Sequence, residues 1–135
     1  NDSCCADANG DFDDWVELYN SNSEAIDIGG FYLTDKEGDT NPYQIPTSDP
    51  SATRVPAGGY IVIWWDDDQE QGALHISKKL SSAGESIIIM NTDGSTVIDS
   101  YTFGAQTADI SMGRNPANMD EWKFYTSPTP GAANN

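Results

Sequence analysis

The chain has 135 residues, with 22 acidic against 6 basic side chains (a formal charge of −16), 37% hydrophobic and 10% aromatic content. The length suits one domain with its own core, and the aromatic content argues against disorder. So negative a surface repels phosphate backbones and anionic headgroups, which excludes nucleic acid as an expected partner and favours cations, basic partners and a salty or extracellular setting.

No apolar run approaches the roughly 20 residues needed to span a bilayer, so no membrane insertion is expected; the longest is "YIVIWW" at 60–65. No signal peptide is visible. Asn1 is not a natural initiator, and a removed leader or upstream domain is expected.

Cys4 and Cys5 are the only cysteines, and they are adjacent. A trans peptide holds neighbouring Cα atoms about 3.8 Å apart, below the usual disulfide range. The preferred reading is therefore two free thiols, one turned inward. A metal-binding pair lacks a second Cys or a nearby His to complete it.

The stretch "DANGDFDDW" (7–15) follows, with Asp7, Asn9, Asp11 and Asp13 at alternate positions. Calcium takes six to eight oxygens, and a tight loop of this pattern supplies several. Counted from Asp7, however, Gly10 stands fourth and Leu18 twelfth. An EF-hand needs glycine sixth and a bidentate glutamate twelfth, so that reading fails. Two readings stay open: a non-EF calcium turn, and a solvated turn in which the aspartates bond their own backbone.

Beyond it, two-residue alternation dominates. Strands are predicted at 15–20, 30–35, 42–46, 59–67, 85–91, 95–103, 109–114 and 121–125. "GYIVIWWDD" is apolar on both faces and so predicted central. "TDG" at 92–94 reads as a hairpin turn, and no helical stripe of useful length appears. Many short strands punctuated by Gly, Pro, Asn and Asp predict an all-β sandwich or barrel. The tail "TSPTPGAANN" (126–135) reads as a domain end running into a linker.

The phrases "DDWVELYN", "IDIGGFYLTD", "VPAGGYIVIWWDD", "LHISKKLSSAGESIIIMNTDGSTVIDSYTFGAQTADISMGR" and "SPTPGAAN", in this order, resemble the lamin-tail domain in its bacterial secreted and surface form. The resemblance runs from about Asp13 to Asn134. It implies one immunoglobulin-like β-sandwich over 1–135, a non-enzymatic accessory module of a larger extracellular or surface protein. Its work would be binding a protein or a glycan, or spacing its neighbours. Relatives usually begin with an apolar strand that is absent here. Its absence would leave a sheet edge open to self-association. The rival reading is a calcium-stabilised carbohydrate-binding module.

Other residues were weighed for chemistry. Trp64 and Trp65 point to opposite faces of one strand, so one suits the core and the other a sugar or a loop. The acidic groups "DKEGD" (35–39) and "DDDQE" (66–70) read as strand-end loops, or as sharers of a cation if Asp35 and Asp66 lie at one end. His75, the only histidine, reads as structural, and no serine sits in a nucleophile-elbow glycine pattern. No catalytic residue is assigned. Trp15 leads the first strand, and Arg114 is expected to pair with Asp109 or Asp99.

Overall fold

The computed structural model describes residues 1–135. In chain order the elements are β1 (Trp15–Tyr19), β2 (Ile26–Asp27), β3 (Tyr32–Thr34), β4 (Tyr43–Gln44), α1 (Pro50–Thr53), β5 (Arg54–Val55), β6 (Tyr60–Trp64), β7 (Glu85–Met90), β8 (Val97–Phe103), β9 (Ser111–Asn115) and β10 (Asn118–Tyr125). They form an immunoglobulin-like β-sandwich.

One sheet runs β4-β3-β7-β8, every neighbour antiparallel. The predicted turn at 92–94 joins its last two strands. Asp93 accepts hydrogen bonds there from the Ser95 and Thr96 N–H groups, and Gly94 takes the positive φ of 69° that a tight turn demands. Against this sheet, β1 pairs with β6, with Trp15 opposite Trp64 and Tyr19 opposite Tyr60. The far side of β6 is also occupied: the Trp64 N–H donates to Leu74 O at 2.8 Å and the Ile76 N–H to Trp64 O at 2.9 Å. That contact is a single bridge at Trp64, so β6 has a full ladder only with β1, and its two-sided apolar pattern reflects cover on its faces rather than on its edges.

The strands alternate as their period requires. Ile61, Ile63 and Trp65 point into a core shared with Ile28, Leu33, Ile45, Val55, Ile76 and Ile89, while Val16 and Leu18 of β1 pack at its margin. Each such side chain contributes about 1.5–3 kcal/mol on burial. A buried Asn20 ties the bottom of the core together. Its amide donates to the carbonyls of Glu24, Val55 and Pro56 at 2.9, 3.1 and 3.0 Å.

Beyond β2 and β5, where no strand was predicted, two elements depart from expectation. α1 was not predicted, although Asp49 caps it through the Ala52 N–H and Pro50 opens it, the arrangement a helix start favours. β10 begins at Asn118, three residues earlier than the pattern suggested, with a register shift between Asn118 and Trp122.

The cysteine reading is corrected. Cys4 and Cys5 are bonded to each other, and the chain has no free thiol. Cys5 lies in the left-handed region at φ 63°, which turns the chain sharply enough for the two sulfurs to meet. Asp109 fixes the turn from outside. It accepts the N–H groups of Asp2, Ser3 and Cys4 at 2.9, 2.9 and 3.0 Å and the Ser3 hydroxyl at 2.5 Å. Asp109 is therefore the anchor of residues 2–4. Arg114 pairs with Asp99 instead, one nitrogen reaching both carboxylate oxygens at 3.2 and 3.1 Å.

The tail at 126–135 folds back rather than leading away. The Gly131 N–H donates to the Glu17 carboxylate, and the Asn134 amide donates to Arg114 O at 3.0 Å.

Candidate functional site

The acidic turn is built as its residue types dictate. Asp7 accepts the N–H groups of Asn9 and Asp11 at 2.9 and 2.8 Å, and Gly10 takes a positive φ of 95°. This folds the segment on itself and brings carboxylate oxygens of Asp7, Asp11 and Asp13 within 4.8 Å of one another. Asn9 stays at the turn: its amide donates to Asp7 Oδ2 at 3.3 Å and to Gln71 Oε1 at 2.5 Å. The charges feel one another. Burial and then the nearby carboxylates of Asp66, Asp11 and Asp7 push Asp13 upward. For Asp7, burial also pushes upward, but hydrogen bonds led by the Asp11 N–H outweigh it and hold the carboxyl below its usual range.

The other two acidic groups have their own partners. Asp39 accepts from Lys78 at 2.7 Å, Thr34 at 2.6 Å and the Asn41 N–H at 2.9 Å, and these bonds hold it well below the ordinary carboxylate range. Lys78 also lies 4.0 Å from Asp35. Asp66 meets His75 Nδ1 at 2.5 Å, with both side chains buried. Lys78 thus neutralises the Asp35 loop while His75 serves Asp66. Trp64 lies against the His75 ring at 6.3 Å and is half-buried, whereas Trp65 is 1% exposed. Of the two tryptophans only Trp64 has a face within reach of a ligand.

A larger feature escaped the sequence. A cleft of about 1200 Å³ opens between β1, β8 and β9. Val16, Leu18, Ile87, Ile89, Tyr101 and Met112 are among its apolar lining. Its outer wall is the β9–β10 hairpin, whose ladder joins no other strand. Point contacts hold that hairpin in place. Trp122 stacks on Tyr101 with centroids 3.6 Å apart, and the Arg114 guanidinium lies 4.8 Å over the Trp122 ring. Arg114 also donates to Met119 O at 2.9 Å and binds Asp99 across the cleft mouth. Glu17 stands at the same mouth, pushed upward by burial and partly relieved by the Gly131 N–H.

No helix here is long and apolar enough to cross a membrane. The family model described as Lamin Tail Domain matches residues 2–105. The chain belongs to the lamin tail domain family. Lamin tail domains are an immunoglobulin-like family of interaction modules. The match covers the core and the three acidic turns and stops before β9, so the hairpin that walls the cleft and the folded-back tail lie beyond it. No curated protein and no solved structure matches the chain.

Proposed function

We propose that this lamin tail domain is a non-catalytic accessory module of a larger extracellular or surface bacterial protein, and that it works by binding a protein. The observation that carries this reading is the open apolar cleft between β1, β8 and β9. A concave space that mixes apolar lining with convergent polar groups is where ligands dock. The −16 charge suits an exterior surface. Glycan binding has weaker support, since Trp65 is in the core and Trp64 is half-covered by His75. An array carrying peptides and glycans together tests the proposal. Saturable binding of peptides with no glycan signal is the expected result. Glycan binding alone overturns it in favour of a carbohydrate-binding module, and silence toward both favours a spacer.

A second reading has one specific observation behind it. The clustered oxygens of Asp7, Asp11 and Asp13 suit a weak calcium site that would brace the turn ahead of β1. Calorimetric melting in millimolar calcium should then rise and fall back with chelator, and the Asp11→Asn variant should lose that response. A melting temperature indifferent to calcium retires the site.

A further inference from the structure

Residues from both faces of β1 line the cleft, Trp15 and Glu17 as well as Val16 and Leu18. The same holds for β8, where Asp99 and Tyr101 are joined by Ile98 and Ser100. A cleft that borders both faces of a strand runs along its edge. β1 and β8 are each the last strand of their sheets, and β9 is paired only with β10. Three strand edges without a backbone partner therefore front one apolar space, the Asn134 amide on Arg114 O being a side-chain cap on the last of them.

The surface area agrees. Folded monomers of 14.6 kDa expose about 6,900 Å², whereas this chain exposes 7474 Å². The surplus of roughly 570 Å² is about 70% of the roughly 800 Å² that one partner buries in a standard interface. The rim also has a sign. Asp2, Asp14, Glu17, Asp99, Asp109 and Asp120 line it. Asp99 is paired with Arg114, Asp14 with the Asn1 amine, Glu17 with the Gly131 N–H and Asp109 with the N–H groups of residues 2–4, which leaves Asp2 and Asp120 as the carboxylates without such a partner.

Resting on the protein-binding reading above, we propose that the cleft is a strand-acceptor site for an extended basic segment of another protein, in which apolar side chains alternate with lysine or arginine. The apolar residues would enter the space between the sheets, the backbone would add to the β1 edge, and the basic residues would meet the carboxylate rim. β1 has five residues, so the matching segment is five to seven residues long, about 17–24 Å. A second copy of this chain is a poor occupant, because each copy carries −16.

The test uses the whole chain and three capped eight-residue peptides: alternating isoleucine and lysine, the same residues in two blocks, and alternating isoleucine and glutamate. Calorimetry should show the first binding at least tenfold tighter than either control, and at least threefold weaker in 300 mM than in 50 mM salt. Amide exchange in residues 15–19 and 111–115 should slow at least tenfold. The exposed pair Asp2→Lys and Asp120→Lys should cut affinity severalfold without moving the melting temperature. Equal binding of the blocked peptide, or protection confined to β4 or the Phe124 surface, overturns the site. If the glutamate peptide protects the same amides equally well, the basic chemistry falls while the protein-binding reading stands. Sedimentation showing a dimer that protects these amides makes a second copy the occupant and overturns the proposal. No protection by any peptide, while array-selected peptides bind elsewhere, removes this site and again spares the broader reading.

Discussion

Leu33, Ile63 and Ile76 have no measurable exposure between the facing sheets, whereas residues of the same kind at β1, β8 and β9 line about 1200 Å³ of open space. The first region is closed by the β1 ladder and the Trp64–His75 bridge on the two sides of β6 and by interdigitated side chains. The second is spanned by an ion pair, one aromatic stack and two chain ends fastened to carboxylates. One half of the molecule thus holds the fold, and the other leaves backbone and apolar surface within reach of a partner. Close packing makes the first intolerant of change, while the second lacks partner atoms to lose.

Truncation measures that difference most directly. Trp65→Ala should cost about 3–5 kcal/mol in urea denaturation, while Met112→Ala in the cleft should cost less than about 1 kcal/mol. Equal losses would abolish the distinction. Asn20→Ala leaves three inward carbonyls short of a donor and should cost about 1–3 kcal/mol.

Arg114→Ala sharpens the comparison at the hairpin. It should lower stability by about 1 kcal/mol or less and speed amide exchange across residues 111–125 while leaving β6 and β7 unchanged. An unaltered melting temperature together with unaltered exchange would remove Arg114 from the architecture.

The smallest effect is a pH dependence of opposite sign in two places. Asp39, Asp93 and Asp109 are depressed, Asp93 to about 2. Their stabilisation is present above the unfolded value of 3.8 and is lost as pH falls through the folded values. Glu17 is raised, so its contribution is present below 4.5 and is lost as pH rises through its folded value. Glu17→Gln should therefore compare more favourably with the parent at pH 7 than at pH 4. The reverse order in thermal melts would contradict the burial of Glu17.

Strands with a clear period were legible in the sequence, but the central place expected for β6 was not met: it pairs in a ladder with β1 alone, and only its Ile61 and Ile63 face is fully buried. β2 and β5 were not, because two residues carry no period and form only by pairing with each other. α1 had a readable signal in "SDPSAT", an N-cap aspartate followed by proline, but its four residues are too few to show a helical stripe. The alternate acidic pattern at 7–13 was visible in the sequence, but how closely the carboxylates of Asp7, Asp11 and Asp13 gather depends on the fold of the turn. The choice of Asp99 over Asp109 for Arg114 was illegible for the same reason, since it depends on where the β9–β10 hairpin docks. The cleft was not legible beyond the one open sheet edge that the resemblance led us to expect, because three edges distant along the chain define it.

The anchoring of both ends has a mechanical meaning. Residues 2–4 are fastened to Asp109, just ahead of β9, and residues 131 and 134 to Glu17 and Arg114. Tension applied along the chain at its two ends would load β1 and β9 first and reach the packed core last. In a module strung between neighbours, pulling would thus act on the walls of the cleft, and the grip on a bound segment would depend on load.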